Sequence, residues 1–540
     1  MKCAALTSLK ALPNPATVIT SAQVNAVPSE HCEVLGKINE RTGANNQRYA
    51  IKFHLRLPAN WNRKFFFEGG GGSNGNLGNA MGNLQGGQRA TALSLGYAVV
   101  SQDSGHDNRE NNDPQRNGTT TFGFDPQARL DFGYNSYDQV TQAAKALIRA
   151  FYGRAPERSY FVGCSEGGRE GMMMSQRFPD YFDGILACSP GFKLPKAALY
   201  GHVNDAHAFA DVAKAEGIYD RFGQPLLNKT FTDEDLDLAQ QAILAACDEL
   251  DGLKDGIITD FPACSTARVA PKLAEVTCQG PKRNTCLTQV QVTALEKVFA
   301  GAKDSKGQQL YADWPWDRGL GGKVGNTYNQ GWRIWKIGAY DTPVNSAIIV
   351  GLGSGAVSAV FTTPPAVVPT TGDGPMAYLM SIDLDKDANK IYAESGTFTK
   401  SSWDFMMASS TDLAAFKNRG GKLIIVHGAS DPVFSINDTI SWWNDLNKAN
   451  SGKAAEFARL FAVPGMNHCA GGPATDQFDA FTALVNWVEK GSAPEKIIAT
   501  AGPNSPWPNR TRPLCVYPAQ ARYNGSGSVE DAANFSCRVP

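Results

Sequence analysis

The chain has 540 residues, more than one compact core needs, so we expect several domains or one large domain with an insertion. Its 51 basic and 52 acidic residues leave a formal charge of -1, which gives little support to a nucleic-acid partner. Apolar residues make up 42% of the chain and charged residues 19%, as in globular proteins, and no apolar run is long enough to span a membrane. The composition stands out instead in its 54 glycines and 11 cysteines.

Apolar strands alternate with helical stretches over roughly the first 190 residues. In chain order the pattern predicts strands at 64–67 and 97–101, a helix at 138–152, a strand at 159–162, a helix at 167–178 and a strand at 184–188. The alternation resumes with strands at 422–426 and 459–463 and helices at 440–446 and 478–490. This alternation predicts a parallel sheet with helices on both faces.

The alternation breaks down between about residues 191 and 411, in a stretch that includes an aromatic-rich segment from 311 to 340. We therefore expect one α/β domain, formed by residues 1–190 and 412–540, and an inserted domain formed by residues 191–411. Such insertions commonly lie over the carboxyl ends of the strands, where ligands bind.

The cysteines form short, separate pairs along the chain rather than CxxC motifs: Cys247 with Cys264, Cys278 with Cys286, and Cys515 with Cys537. This spacing is typical of disulfides in a secreted or periplasmic protein, although buried thiols in a cytosolic enzyme are the alternative. The chain begins without the apolar segment of a signal peptide, so we expect that an exported form has lost it. An odd count leaves at least one free thiol, for which we choose Cys188.

A G-x-S-x-G motif places Ser165 between a predicted strand and a predicted helix. A nucleophilic serine at a sharp strand-to-helix turn needs this context, because flanking glycines remove side chains that would clash. The alternative is an ordinary glycine-rich turn.

An elbow serine requires an acid and a base later in the chain, in the order Ser, Asp, His. His468 lies in a loop directly after the strand at 459–463, and Asp431 lies in the loop after the strand at 422–426. We predict a catalytic triad of Ser165, Asp431 and His468, and we expect His427 to be structural.

Cys164 precedes the predicted nucleophile, and Cys469 follows the predicted base. Hydrogen-bonded Ser and His side chains would bring these neighbours within the Cα separation that a disulfide spans. We therefore predict the bridge Cys164–Cys469.

Two backbone N–H groups should form the oxyanion hole. One belongs to Glu166, the residue after the nucleophile, and the other to the glycine run at residues 69–72, where we favour Gly72. The alternative for the glycine run is close packing only.

An acidic loop lies within the Cys247–Cys264 pair. Its aspartates are spaced as a Ca²⁺ site requires, and two backbone carbonyls could complete the ligand set, which would be Asp248, Asp251, Leu253, Asp255 and Ile257. We predict structural Ca²⁺ and no organic cofactor; a solvated acidic turn is the alternative.

The segment at residues 163–169, Asp431 and the pair His468-Cys469 together resemble the tannase and feruloyl esterase family. The resemblance covers most of the chain and is greatest to the branch that hydrolyses mono(2-hydroxyethyl) terephthalate, notably at residues 158–172 and 327–333. It implies an α/β-hydrolase core with a large inserted lid that carries calcium, secretion, and esters of aromatic acids as substrates. It also implies the bridges Cys247–Cys264, Cys278–Cys286 and Cys515–Cys537; we further expect Cys3–Cys32.

Two positions depart from that branch, which uses a lid arginine for the free carboxylate of the substrate and, after it, an aromatic residue that closes over the ring. Alignment on residues 363–365 places Ile348 and Leu352 there, which favours an aromatic ester with a neutral head group. We expect the substrate to contact Trp332, Trp335, Leu352 and Phe434, although a core role for each tryptophan is the alternative.

We therefore expect a monomeric, secreted serine carboxylic ester hydrolase for feruloyl-, galloyl- or terephthaloyl-type monoesters, with no nucleic-acid or membrane partner. The alternatives are a terephthalate monoester hydrolase proper, a general lipase or serine peptidase on the same scaffold, and a non-catalytic binding module. Inactivation by a fluorophosphonate would separate the enzymes from the binding module.

Overall fold

The computed structural model describes residues 2–321, 323–324, 327–328 and 331–540. Its described strands are β1 (Thr17–Asn25), β2 (His31–Thr42), β3 (Arg48–Pro58), β4 (Lys64–Glu68), β5 (Ala98–Gln102), β6 (Arg158–Cys164), β7 (Gly184–Cys188), β8 (Lys323–Val324), β9 (Thr327–Tyr328), β10 (Lys422–Gly428), β11 (Ala458–Val463), β12 (Gln477–Phe478), β13 (Lys496–Thr500), β14 (Thr511–Cys515), β15 (Gln520–Tyr523) and β16 (Phe535–Arg538). Nine of them form one sheet in the order β1-β2-β3-β5-β4-β6-β7-β10-β11.

The part of this sheet from β5 to β11 is parallel and contains the six strands that the sequence predicts. The sheet also has an antiparallel region that the sequence did not predict, at the other edge, where β1, β2, β3 and β5 pair antiparallel. Buried and partly exposed residues alternate along β2, and β1 has a single buried residue, Ile19. Neither strand therefore shows the continuous apolar run of a strand buried on both faces.

The α-helices of the described residues are α1 (Pro126–Leu130), α2 (Ser136–Tyr152), α3 (Glu166–Arg177), α4 (Leu194–Lys196), α5 (Val203–Ala215), α6 (Asp233–Cys247), α7 (Thr266–Glu275), α8 (Gln289–Phe299), α9 (Ile348–Ala356), α10 (Gly374–Ser381), α11 (Leu384–Asp387), α12 (Ser402–Met406), α13 (Ala414–Asn418), α14 (Ile436–Ala449) and α15 (Ala480–Lys490). Among them, none is both long and apolar enough to cross a bilayer.

Both faces of the parallel region are buried, as its strand β4 illustrates. Phe65 and Phe67 pack on one side in a cluster that includes α2 and α3, whereas Phe66 packs on the other side against Phe481 of α15, with ring centroids 5.4 Å apart. All three phenylalanines are fully buried. Because alternate side chains of a strand point to opposite faces, three consecutive buried aromatics require helices on both sides.

The segment from residue 191 to residue 411 contributes no strand to the nine-stranded sheet among its described residues. Its core includes stacked aromatics: Phe299 lies 3.7 Å from Trp316 and 4.7 Å from Trp332 between ring centroids. The same apolar cluster includes Val433 and Phe434, which follow β10. The segment therefore packs on the carboxyl ends of the parallel strands.

Five disulfides cross-link the chain, and they join the predicted pairs: Cys3–Cys32, Cys164–Cys469, Cys247–Cys264, Cys278–Cys286 and Cys515–Cys537. Cys188 is a free, buried thiol at the end of β7, and its burial raises the pKa to about 12. The thiol is therefore neutral and enclosed in the core, as expected for a residue without a redox role.

Candidate active site

Ser165 occupies a strained turn between β6 and α3. Its backbone has φ 64° and ψ -120°, a conformation that non-glycine residues rarely adopt. A Cβ on Gly163 would lie 2.6 Å from the backbone of Gly167, and a Cβ on Gly167 would lie 2.6 Å from the carbonyl oxygen of Gly70. Only glycines at both motif positions allow this turn to form.

Ser165, His468 and Asp431 form one hydrogen-bonded chain. The Ser165 Oγ lies 2.8 Å from Nε2 of His468, and Nδ1 of the same imidazole lies 2.9 Å from Oδ2 and 3.1 Å from Oδ1 of Asp431. The histidine follows β11 and the aspartate follows β10, so neighbouring parallel strands deliver both side chains to the same edge of the sheet. In this arrangement His468 Nδ1–H donates to the carboxylate, and Nε2 accepts from the serine hydroxyl.

Asp431 is fully buried, yet its carboxyl remains ionised. Burial alone would raise its pKa, but the interactions with His468 and His427 outweigh burial and lower it. The N–H groups of Val433 and Phe434 also donate to Oδ1, at 2.8 and 3.1 Å. His427, expected to be structural, donates from Nε2 to the Phe434 carbonyl and lies 3.3 Å from Asp431 Oδ2.

The Cys164–Cys469 disulfide joins the residue before the serine to the residue after the histidine. Their Cα atoms are 6.0 Å apart, although 305 positions separate them in the chain. The bridge therefore holds together the two turns that carry Ser165 and His468.

The two N–H groups predicted for the oxyanion hole adjoin the same pocket. Glu166 is the first residue of α3, where a backbone N–H has no partner within the helix. Gly72 has φ +61°, lines the pocket with Ser165, and its N–H makes no hydrogen bond among the described residues. The geometry thus leaves both donors available to an oxyanion.

An apolar pocket opens beside Ser165. The predicted substrate contacts Trp335, Leu352 and Phe434 line it; the rings of Trp335 and Phe434 lie 5.3 and 5.6 Å from the imidazole of His468. Other lining residues are Leu194, Ala198, Ile348, Ile349, Phe361 and Val433.

Trp332, also predicted as a substrate contact, is absent from the pocket lining. It is buried against Phe299 and Trp314, and its Nε1 donates to the carbonyl of Ser430 at 3.2 Å. Trp332 thus packs in the core of the inserted segment, behind the loop that carries Asp431, which agrees with the alternative that the sequence left open. The motif at 327–333 lies partly outside the described residues.

His202 lines the pocket, although sequence reasoning missed it. Its Nε2 donates to the carbonyl of Val433 at 3.0 Å, and burial together with the nearby Lys336 lowers its pKa to about 4. The imidazole is therefore neutral at pH 7. No motif surrounds His202 in the sequence, and only the packing of the inserted segment against the β10 loop brings it to the pocket.

The predicted calcium loop forms a compact acidic turn. Asp248 accepts from the N–H of Gly256, Asp251 from that of Leu253, and Asp255 from that of Ile257. Asp255 also pairs with Arg512. Among the described residues, no three acidic, histidine or cysteine side chains are arranged as a metal site, so the calcium ion stays a prediction.

Comparison with known proteins shows which family this chain resembles. The profile described as "Tannase and feruloyl esterase" matches residues 32–538. The chain is 50% identical to mono(2-hydroxyethyl) terephthalate hydrolase from Piscinibacter sakaiensis over 98% of this chain and 89% of that protein, and 31% identical to an uncharacterized esterase from Xanthomonas campestris over 99% and 91%.

Solved structures agree on the fold. Feruloyl esterase B from Aspergillus oryzae superposes with a TM-score of 0.72 at 22% identity, covering 99% of both chains. A tannin acyl hydrolase from Aspergillus niger superposes with a TM-score of 0.68 at 20% identity, covering 98% of this chain and 94% of that one. The predicted α/β-hydrolase fold is confirmed. On the profile match and the 50% identity, this chain belongs to the tannase and feruloyl esterase family and is a carboxylic ester hydrolase.

Proposed function

We propose that this protein hydrolyses small esters of aromatic acids whose ring carries uncharged substituents, through a triad of Ser165, His468 and Asp431. One observation carries the proposal: the hydrogen-bonded chain of these three side chains ends at the mouth of an apolar pocket. By their names, the relatives above act on mono(2-hydroxyethyl) terephthalate, on feruloyl esters and on tannins, which supports an aromatic acyl group.

The geometry supports a double-displacement reaction. His468 would take the proton of Ser165 as its oxygen attacks the ester carbonyl, while Asp431 stabilises the imidazolium. The N–H groups of Glu166 and Gly72 would bind the oxyanion. The imidazolium would then protonate the leaving alcohol, and a water molecule activated by the same imidazole would release the acid from the acyl-enzyme.

The pocket walls favour an uncharged ring. Among the described residues that line it there is no arginine or lysine, and the Glu166 carboxylate is paired with Arg169, whose Nε lies 2.9 Å from both of its oxygens. His202 is neutral. A terephthalate monoester would have to bury its free carboxylate here without a cation, which is costly. Because of the 50% identity to a hydrolase of that ester, such hydrolysis is the second candidate.

Replacing Ile348 by arginine should shift the preference toward carboxylated esters. Ile348 is half-buried in the pocket wall at the start of α9, one helical turn before Leu352. A charged hydrogen bond to the substrate carboxylate contributes about 1.5–3 kcal/mol, so we expect the kcat/KM ratio of a terephthalate monoester to methyl ferulate to rise by about 10- to 100-fold.

The matched control is Ile348→Gln, which introduces a polar side chain without a charge. Methyl ferulate, methyl gallate and mono(2-hydroxyethyl) terephthalate should be assayed with all three proteins. An unchanged ratio in Ile348→Arg, or an equal rise in Ile348→Gln, would contradict the proposed role of this wall. Preference of the wild type for the carboxylated ester would favour the second candidate.

A structural calcium ion at residues 248–257 is part of the proposal. The oxygen donors are of the kind that a hard cation prefers. Asp251 is partly buried, and burial together with nearby Asp255 raises its pKa to about 6, although hydrogen bonds from backbone N–H groups lower it. Asp248, Asp251 and Asp255 would hold the ion together with the carbonyls of Leu253 and Ile257. The ion would neutralise repulsion among these carboxylates.

Calcium should therefore raise the melting temperature of the metal-free protein. A concentration one hundred times Kd stabilises the folded state by about 2.7 kcal/mol. Differential scanning calorimetry in EDTA and in CaCl₂ measures the shift, with MgCl₂ as the comparison ion. Asp251→Asn should lose most of the response. Equal melting temperatures with and without calcium would contradict the site.

Secretion or export to the periplasm completes the proposal. Five disulfides in one chain are typical of a protein that folds in an oxidising compartment. We also expect the protein to act as a monomer.

A further inference from the structure

Glu170 is a fully buried carboxylate that takes no part in the triad. It lies on α3, one helical turn after Glu166. Its oxygens accept three hydrogen bonds, two from the loop that follows β4 and one from the last residue of β5. The donors are the N–H of Gly70 at 3.0 Å, Nδ2 of Asn74 at 2.7 Å and Nε2 of Gln102 at 3.3 Å. Such a group is expensive to bury, which calls for an explanation.

Asn74 links Glu170 to Gly71, the next residue of the glycine run. While its Nδ2 donates to Glu170, its Oδ1 accepts from the N–H of Gly71 at 2.7 Å. The N–H of Gly69 donates to the carbonyl of Val162 at 2.9 Å. The three N–H groups that precede Gly72 are therefore all engaged on the protein side of the loop.

The glycine run also lies directly against the start of α3. The N–H of Gly167 donates to the carbonyl of Gly70 at 3.1 Å, and a Cβ on Gly69 would lie 2.9 Å from the Cα of Gly167. A Cβ on Gly70 would lie 2.5 Å from the amide of Asn74. The missing side chains thus let the loop approach both the helix and Asn74.

We propose that Glu170, together with Asn74, is a positioning residue for the oxyanion hole. The carboxylate connects the loop that ends in Gly72 to the same helix whose first residue is Glu166. The Glu170 side chain then sets the distance between the N–H groups of Glu166 and Gly72, although neither N–H belongs to Glu170. This inference rests on the proposed function, because it assigns a role to the oxyanion hole of that reaction.

The chemistry explains why the residue is a glutamate. All three of its partners are donors, and an ionised carboxylate offers acceptors only. A glutamine would keep one acceptor but would present an NH₂ group to one of the donors. Burial and the nearby Glu166 raise the pKa of Glu170 to about 8, whereas the hydrogen bonds from Gly70 and Asn74 favour the ionised form. The acceptor-only carboxylate therefore dominates above about pH 8, and the variants should be compared at about pH 9.

The test is Glu170→Gln. Because the oxyanion exists only in the transition state and the tetrahedral intermediates, we expect kcat for methyl ferulate to fall by about 10- to 100-fold with KM nearly unchanged. Phenylboronic acid, which forms a tetrahedral adduct with a catalytic serine, should bind more weakly by a similar factor. Ferulic acid, a planar product, should bind as it does to the wild type.

Ser175→Ala is the matched control. Ser175 is buried near the carboxyl end of α3, away from the glycine run, and its hydroxyl donates to the carbonyl of Met172. The control substitution should leave kcat and both inhibition constants unchanged. Asn74→Ala should reproduce the loss of kcat, and the double variant should lose less than the product of the two single effects, since both act through one network. Asn74→Ala also serves as the test if Glu170→Gln does not fold.

An unchanged kcat in both variants, or a loss of ferulic acid binding as large as the loss of kcat, would overturn the inference. The second result would mean that the variants disturb the pocket as a whole. If Ser165→Ala is inactive while Glu170→Gln is fully active, only this inference fails. If Ser165→Ala keeps its activity, the proposed function itself fails.

Discussion

Ser165→Ala should lower kcat on methyl ferulate by at least about four orders of magnitude, with little change in KM. The Oγ atom is the group that would form the acyl-enzyme, and it lies 2.8 Å from its base. Alanine leaves the backbone strain at this position unchanged, because it also has a Cβ at φ 64°. The variant should therefore fold as the wild type does, and only the chemistry should be lost.

Intact-mass measurement after exposure to a fluorophosphonate gives an independent readout. The wild type should gain one adduct at Ser165 and the variant none. A matching melting temperature shows that the fold is retained. Near-full activity in the variant, or labelling at another serine, would refute the assigned nucleophile and with it the proposed triad mechanism.

The candidate site could be predicted largely from the sequence because its members lie next to strong local signals. Ser165 lies in a motif that needs its two glycines for steric reasons, and Asp431 and His468 each follow an apolar strand. Parallel neighbours end at the same sheet edge, so strand order along the chain was enough to bring the three residues together. The adjacent cysteines, Cys164 and Cys469, supported the pairing.

The pocket could not be predicted in the same way, because it depends on how the inserted segment packs. Trp332 and Trp335 are three positions apart, yet the first is buried behind the Asp431 loop and the second lies beside His468. His202 reaches the pocket through a long-range contact with Val433. Such contacts leave no periodicity or spacing in the sequence.

The antiparallel edge of the sheet was missed for a related reason. In β1 only Ile19 is buried, so the strand shows no alternation from which its pairing could be inferred. Its register is set by β2, and β2 in turn pairs with β3. Local pattern therefore predicts the buried parallel strands well and the exposed edge poorly.

Asp431→Asn should lower kcat by about three to four orders of magnitude, a loss comparable with that known for the same change in other Ser-His-Asp enzymes. The direction follows from the hydrogen bonds around the carboxylate. The N–H groups of Val433 and Phe434 both donate to Oδ1, so in the variant the amide oxygen should take that position. The amide nitrogen then replaces Oδ2, which lies 2.9 Å from His468 Nδ1.

An amide NH₂ at that position can only donate, so Nδ1 of His468 must become the acceptor and its proton must move to Nε2. A protonated Nε2 cannot take the proton of Ser165. The measurement is kcat together with the rate of fluorophosphonate labelling, which should fall in parallel because both need the serine activated. The control is Asp438→Asn, the same chemical change at a carboxylate that pairs with Lys193 at 2.6 Å, which should leave both rates unchanged. If Asp431→Asn keeps more than about a tenth of the wild-type kcat, control of the His468 tautomer by Asp431 is not what activates this serine.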